Sequence, residues 1–339
     1  MGGSCYGRTQ LCGCSKIHTR KRYPRPKREG HLGYRRWVEP CINDALMPHL
    51  TLCIPTGNAG LGKETVLQLA KHNPKKIFLA ARSEVKAEEA IKSVKSSVSN
   101  DVEVVWIPLD LMSGKSIKNA AEQVNAQSSR LDVLILNAGV MALPPGETEM
   151  GHEIQLGTNH TGHFYLTKLL LPTLLKTAEE PDSDVRVVSL ASVGHNFAPA
   201  FEKILDQEKL KKVSTTARYG ASKAANILFA AELSRRYPSI TSVAVHPGII
   251  VTNLYDSLNS QSLFAALGSK FLRLSGSTVQ QGACNSLWAA AGAKKEELSN
   301  GGYYVPVGIL KRRNKWACNE DMGKRLWEWT ELELTKANL

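Results

Sequence analysis

The amino-acid sequence predicts an α/β fold, a doubly wound, mostly parallel sheet covered by helices on both faces. Three observations lead there. Short apolar runs alternate with longer amphipathic ones over roughly 250 residues, the pattern of repeated strand–helix–strand units. A glycine-rich stretch, IPTGNAGLG at 54–62, falls between the first apolar run and the first amphipathic one. No repeat, low-complexity segment or linker divides this body, so 47–339 reads as one domain.

The elements follow in order. TLCI at 51–54 is the first strand. In 61–72, Leu61, Thr65, Val66, Leu69 and Ala70 share one helical face. KIFLA at 76–80 is the second strand, and 83–98 a charged amphipathic helix. VEVVWIPL at 102–109 is the third strand, followed by a helix over 113–125 with Ser113 as its N-cap. LDVLILNAG at 131–139 is the fourth strand, leaving into a tight loop, and 149–175 is a long helical region. VRVVSLAS at 185–192 is the fifth strand, 219–237 a helix, SVAVHPG at 242–248 the sixth strand and 302–305 a short last one. Right-handed crossovers between parallel strands give a Rossmann-type sheet, the architecture that binds dinucleotides.

Charge and cysteine are concentrated ahead of this body. Residues 1–50 hold ten Lys or Arg against three acids, which is +7 of the net +12. Cys5, Cys12, Cys14, Cys41 and Cys53 precede the glycine turn, whereas Cys284 and Cys318 follow it. There is no C-x-x-C pair and no Cys/His set at zinc spacing, so no metal is expected. No secretory h-region follows Met1, and a reducing, cytoplasmic compartment is the expectation. The most apolar stretch, 166–175, is interrupted by Lys168 and Pro172, well short of the roughly 18 residues of a membrane span.

Residues 1–46 form a basic extension without helical or strand periodicity. Three readings stand beside one another: a solvated, disordered tail; a targeting or nucleic-acid arm; and sequence from a misplaced start or splice junction. Nothing aromatic and basic repeats at a useful spacing, so no nucleic-acid partner is expected.

An ordered set of motifs lies on these elements. The glycine turn joins the first strand to the first helix. Asn137-Ala138-Gly139 closes the fourth strand, Ser192 ends the fifth, and Tyr219-Gly-Ala-Ser-Lys223 opens a helix. Pro247-Gly248 follows the sixth strand, with Thr252 four residues on. This set resembles the short-chain dehydrogenase/reductase family over roughly 50–307. Within it, LAARS at 79–83, NHTGHFYLT at 159–167 and YGASKAAN at 219–226 look most like the retinol dehydrogenase and WW-domain oxidoreductase-like group.

The resemblance implies roles that make chemical sense. Tyr219 would be the general acid in reduction and the base in oxidation. A free phenol titrates near ~10, too high for efficient exchange at neutral pH. Lys223, one turn on at i+4, shares its face and would favour the phenolate. Lys223 would also bond the nicotinamide ribose. Ser192 would hold the substrate oxygen, and Asn159 would complete a proton relay through a water near Lys223. Asp110 resembles the family's adenine contact. Asn137, Ala138 and Gly139 would line the adenosine side, and Pro247, Gly248 and Thr252 the nicotinamide side. The implied activity interconverts a carbonyl and an alcohol on a small, apolar substrate. A cofactor-binding protein without turnover is the alternative, and family members are often homodimers or homotetramers. The helix at 219–237 is a candidate interface.

The second strand ends Ala80-Ala81-Arg82-Ser83, with no acid at its tip. An acid there would select NAD through the ribose 2′-hydroxyl. Arg82 instead offers a planar cation for a 2′-phosphate, which points to NADP(H), unless it merely pairs with Glu84 or solvent.

Two segments leave alternatives open. The Ser192-to-Tyr219 interval of 27 positions is long for the family, and its insert is either lid-like, with His195 and Phe197 facing substrate, or a surface excursion. The amphipathic segment 262–274 is a lid over an apolar substrate, a weak membrane-surface contact or core packing.

The glycine turn itself is irregular. The family usually reads T-G-x-x-x-G-x-G, whereas Gly57, Asn58, Ala59, Gly60, Leu61 and Gly62 are one residue short. Pro55 precedes them, and proline is not expected in a central strand. Either residues 1–57 replace an authentic first strand, or the loop is tightened and the amides of 58–62 still meet a pyrophosphate.

Overall fold

The computed structural model describes residues 41–42, 47–55, 60–99, 101–248, 250 and 277–339. Gly57, Asn58, Thr252, the segment 262–274 and residues 1–40 lie outside these residues.

Eight strands form one sheet in the order β3-β2-β1-β4-β5-β6-β7-β8. They are β1 (Thr51–Pro55), β2 (Lys76–Ala81), β3 (Glu103–Pro108), β4 (Val133–Leu136), β5 (Arg186–Leu190), β6 (Thr241–Val245), β7 (Tyr303–Val305) and β8 (Ile309–Leu310). All neighbours are parallel except β7 and β8. Strand order reverses direction between β1 and β4, which makes a switch point where the loops after these two strands part to opposite faces.

β1 is central and fully buried, and it ends on Pro55. The expectation that a proline argues against a central strand is therefore corrected. Pro55 is the last residue of the strand, and its carbonyl accepts the Ala138 amide at 2.9 Å. Extending the β1–β4 register, an amide at position 55 would meet the Ile135 carbonyl. That carbonyl already accepts the Asn137 amide at 2.8 Å, so proline strands no acceptor there. At the other end of β1 the Thr51 amide donates at 2.8 Å to Asp132, a fully buried carboxylate that also takes the Arg130 guanidinium. Residues 51–55 thus form the first strand of the sheet.

Among the described residues the α-helices are α1 (Gly60–Ala70), α2 (Glu84–Lys95), α3 (Gly114–Gln127), α4 (Ile154–Leu156), α5 (Gly162–Ala178), α6 (Phe201–Ile204), α7 (Gln207–Lys211), α8 (Thr215–Arg236), α9 (Val279–Leu287) and, after the last strand, α10 (Glu320–Lys336). Ser83 and Ser113 cap α2 and α3 by accepting the Lys86 and Ser116 amides. One apolar layer packs Val66, Leu69, Leu287 and Trp288 against one face of the sheet. The other packs Ile117, Phe164, Leu170 and Trp327 against the opposite face. Each such side chain contributes about 1.5–3 kcal/mol on burial.

Three differences from the sequence expectations bear on the site. First, α8 begins at Thr215, capped by Ser214, so Tyr219 stands in its second turn. Second, α10 was not foreseen. Its Trp327 stacks on Phe229 of α8 at 5.9 Å and lies under the Arg236 guanidinium at 4.9 Å. α10 covers α8, whose residues from Gly220 to Leu233 are buried. Third, the insert between Ser192 and Tyr219 is packed. Phe201, Ile204 and Leu210 are buried with Trp316 and Leu326, and Glu202 pairs with Arg325 of α10 at 2.8 Å. Cys41 and Ile42, near the end of the basic extension, are buried. Gly292 makes the room, because a side chain there would collide with the Cys41 carbonyl.

Three buried histidines tie the fold to pH. Burial lowers His160 to about 3, and His163 and His246 to about 4. Unfolded, each titrates near ~6.5. Above that pH the three are neutral in both states. As pH falls below it, the unfolded chain takes up protons that the fold refuses, so stability declines by roughly 1.4 kcal/mol per pH unit per histidine. The melting temperature should therefore fall by several degrees between pH 7 and pH 5. A thermal scan that is flat across that interval would contradict this burial.

Candidate active site

The candidate residues gather at the carboxyl ends of the central strands. Lys223 is buried on α8, and its Nζ donates to the Leu190 carbonyl at the end of β5, 2.9 Å away. Asn226, one turn closer to the helix end, donates to the same carbonyl at 3.0 Å. Two side chains thereby pin α8 to the tip of β5. Burial lowers the Lys223 amine to about 8, so it is cationic at pH 7 while close to titration. Its Nζ lies 5.7 Å from the centre of the Tyr219 ring. Tyr219 and Ser192 are half-buried.

Ser192 follows β5 and caps a 3-10 turn, Val193–Phe197, by accepting the Gly194 amide at 3.1 Å. This turn lies directly on α8. A Cβ at Gly194 would come 2.7 Å from the Tyr219 ring, and one at Gly220 would come 2.6 Å from the Ala198 nitrogen. The absence of two side chains therefore lets Ser192 and Tyr219 share one wall of the site.

Asn159 lies in a π-helical turn, Gly157–Thr161, between α4 and α5. Its Oδ1 accepts the Val140 amide at 2.7 Å, and its Nδ2 donates to the Val140 carbonyl and to Ser222, both at 2.9 Å. The Asn159 carbonyl accepts a bond from His163 Nδ1 at 3.0 Å, which puts the imidazole proton on Nδ1. A Cβ on Gly139 would lie 3.0 Å from Asn159 Oδ1 and 3.5 Å from Lys223 Nζ. Gly139 thus runs between the two groups the relay requires.

On the cofactor side, Gly60 opens α1 with φ +60°, a conformation that suits glycine. Leu61 and Gly62 follow in the first turn. Arg82 is exposed at the tip of β2 and makes no ion pair with Glu84 among the described residues. Asp110 follows β3 and accepts the Met112 amide at 3.0 Å. Asn137 and Ala138 follow β4 directly, across from Pro55. Pro247 and Gly248 follow β6, where Gly248 has φ +97°.

Several residues of the site were not foreseen. Arg218, immediately before Tyr219, is buried and pairs with buried Glu153 at 3.1 Å. Its guanidinium also donates to the Leu143 carbonyl at 2.9 Å, tying α8 to the loop after β4. Burial raises the Glu153 carboxyl, against the opposing pull of the Leu156 and Gln155 amides and Arg218. Tyr303 of β7 is buried, and its hydroxyl makes no hydrogen bond among the described residues. Burial pushes that phenol up, and the neighbouring Tyr219 adds to the shift. A charge beside a motif, as at Arg218, was a usable signal. A tyrosine in a strand was not.

Comparison with known proteins agrees with this arrangement. A family model described as short chain dehydrogenase matches residues 51–201. The chain is 38% identical over 297 residues to the short-chain dehydrogenase/reductase drtF of Aspergillus calidoustus, covering 84% of this chain and 93% of that protein. It is 34% identical to retinol dehydrogenase 12 of Mus musculus, covering 85% of this chain and 87% of that one. An uncharacterized protein from Mycobacterium paratuberculosis superposes with a TM-score of 0.64 at 30% identity, over 86% of this chain and 95% of that chain.

The contact between α8 and the Ser192 turn is directly testable. Gly220→Ala forces a Cβ against backbone that cannot swing aside, an overpacking of about 1–3 kcal/mol. The expected result is a melting temperature lower by several degrees. A variant as stable as the parent would mean that α8 and the turn are not in contact.

Proposed function

Because this chain belongs to the short-chain dehydrogenase/reductase family, we propose that it is an NADP(H)-dependent oxidoreductase that interconverts a carbonyl and an alcohol on a small hydrophobic substrate, with Tyr219 as general acid and base. One observation carries the reading. The buried Lys223 amine lies behind the half-buried Tyr219 ring, beside a serine on the same wall.

The residues present fit a nicotinamide dinucleotide. Gly60 and the amino end of α1 stand at the carboxyl edge of β1, where amides can meet a pyrophosphate. Gly139 brings bare backbone close to Asn159 and Lys223, where a side chain would stand 3.0 Å from Asn159 Oδ1. Gly60, Leu61 and Gly62, with Gly57 and Asn58 before them, would hold the phosphates. Asp110, Asn137, Ala138 and Gly139 would hold the adenosine side, and Pro247, Gly248 and Thr252 the nicotinamide side. Arg82 would hold the 2′-phosphate, since no acid at the tip of β2 competes for that position. When bound, the cofactor supplies or accepts hydride.

This chain's residues then handle the proton. In reduction, Tyr219 Oη gives its proton to the substrate oxygen. Lys223, cationic at neutral pH, favours the phenolate left behind. Ser192 Oγ donates to the same oxygen and fixes its place. Asn159, bonded to Val140 and Ser222, fixes the loop after β4 near Lys223, and there it would take part in resupplying the proton through a water. Val193 and Phe197 flank Ser192 as exposed apolar side chains, the latter 63% exposed, which supports an apolar substrate. The name of the related retinol dehydrogenase 12 makes long apolar aldehydes and alcohols the first class to try. We place the protein in the cytoplasm, as a homodimer or homotetramer whose contacts lie away from α8. Among the described residues no helix is long and apolar enough to cross a membrane.

Titration of the full chain with NADPH and NADH, followed by nicotinamide fluorescence, should favour NADPH. Arg82→Asp should weaken NADPH by about 10- to 100-fold, the range of a lost charged hydrogen bond. With all-trans-retinal and nonanal as probes, Tyr219→Phe should lower turnover by at least ~10²-fold and leave NADPH affinity unchanged. Residual turnover near that of the parent would exclude Tyr219 as the acid. NADPH binding with no turnover of any carbonyl would instead favour a cofactor-binding protein.

A further inference from the structure

His195 was a candidate for facing substrate, but it is turned inward. It is only 6% exposed, and both of its ring nitrogens are engaged. Nδ1 lies 2.6 Å from the Ser192 carbonyl. A carbonyl only accepts, so Nδ1 carries the proton. Nε2 lies 3.0 Å from Asn314 Nδ2. The orientation of that amide is fixed independently, because Asn314 Oδ1 accepts the Trp316 amide at 3.0 Å and the Ala317 amide at 3.1 Å. Nδ2 is then a donor, and Nε2 must be a bare lone pair. One protonation state satisfies all of these bonds, the neutral ring with its proton on Nδ1.

The ring joins two parts of the molecule that are far apart in sequence. At one end is the turn that carries Ser192 and rests on Tyr219 through Gly194. At the other is the loop between β8 and α10. Tyr303 of β7 holds the imidazole edge-on, with ring centres 5.1 Å apart. We propose that His195 is a positioning residue for the reaction, a neutral imidazole strut that braces the Ser192 turn against Asn314 and lets go of Asn314 when it is protonated. The inference rests on the proposed role of Ser192.

Protonation would set an N–H of the ring against an N–H of Asn314. Among the described residues the surroundings offer the imidazolium only the Ser192 carbonyl. Burial lowers the pKa of His195, the Ser192 carbonyl opposes that, and Lys315 lowers it further. The other groups around the ring are His246 at the end of β6, Tyr303 and, across the turn, Tyr219. None of these is a carboxylate. The brace is therefore intact at neutral pH and fails as pH falls through the titration of His195.

The test uses the full chain with NADPH and nonanal or all-trans-retinal. Nitrogen-15 NMR of labelled histidine should show His195 neutral at pH 7 with its proton on Nδ1. His195→Ala should lower kcat by about 10- to 100-fold, the scale of a misplaced catalytic group, with NADPH affinity within about 2-fold of the parent. His195→Gln, which can still donate to the Ser192 carbonyl, should recover part of that loss. Asn314→Asp keeps an oxygen for the Trp316 and Ala317 amides and offers a carboxylate to Nε2. It should raise the histidine pKa and remove the acid limb of kcat that the parent shows. An Nε2–H tautomer, a charged ring at pH 7, or a His195→Ala enzyme with full kcat would each overturn the proposal. If Ser192→Ala and Tyr219→Phe are slow while the His195 variants are fast, this inference alone fails. If the parent turns over neither probe, the proposed function fails and takes the brace with it.

Discussion

The site depends on one buried amine. Lys223 has lost most of its water, and its Nζ is returned a single carbonyl at the tip of β5 among the described residues. Taking a cation out of water is unfavourable, and the fall of its pKa to about 8 is the sign of that penalty. Such a group persists only where the surrounding structure is strongly determined. Here the determination comes from both sides: Asn226 secures the same carbonyl, and α10 closes the outer face of α8. The cost of burial is offset by packing, and the product is a positive charge held close behind a phenol. Without that clamp Tyr219 would be an ordinary surface tyrosine on a helix.

Polar groups buried around the clamp serve geometry rather than stability. Glu153 and Arg218 form a buried ion pair, and an apolar pair of equal volume is often no worse for stability. What the pair adds is connection. It ties the start of α4, the amino end of α8 and the loop after β4 to one another through charge-assisted bonds. The π-helical turn acts similarly. It aims Asn159 at the loop after β4, with its side chain spent on Val140 and Ser222 and its carbonyl met by His163. Insertions of this kind are frequent at functional sites because they redirect a side chain without ending the helix.

The sequence revealed the strands well because parallel strands buried on both faces are continuous apolar runs. VLIL in β4 and RVVSL in β5 stand out for that reason. The Y-x-x-x-K pair and Ser192 were legible as spacing, and the fold brings them together against one 3-10 turn. The helix α10 was not legible as a partner of α8, because periodicity shows that a face is apolar and not what covers it. The start of α8 at Thr215 was hidden behind a catalytic motif that looked like a beginning. Pro55 misled in the opposite sense. The rule against proline in central strands concerns a missing donor, and the bond from Asn137 to Ile135 removes the acceptor that would have been left waiting. That exchange depends on how the β4 exit loop turns, which no local pattern around Pro55 encodes.

The two sides of the site also differ in where they come from. The proposed cofactor side would draw mostly on segments that follow β1 to β4, early in the chain, with Pro247 and Gly248 joining it after β6. The proposed substrate side would draw on Ser192 and the insert before α8, with Tyr303 and Asn314 set against His195, all from the second half of the chain. An element that binds one common cofactor can be specified locally, by a glycine at a turn or an arginine at a tip. A wall that selects a substrate needs side chains from distant loops, each held by a neighbour such as His195. Fixed offsets are visible in a single sequence, and meetings between distant loops are not. The proposed chemistry is therefore read more readily than a substrate, toward which the exposed Val193 and Phe197 offer only apolar character.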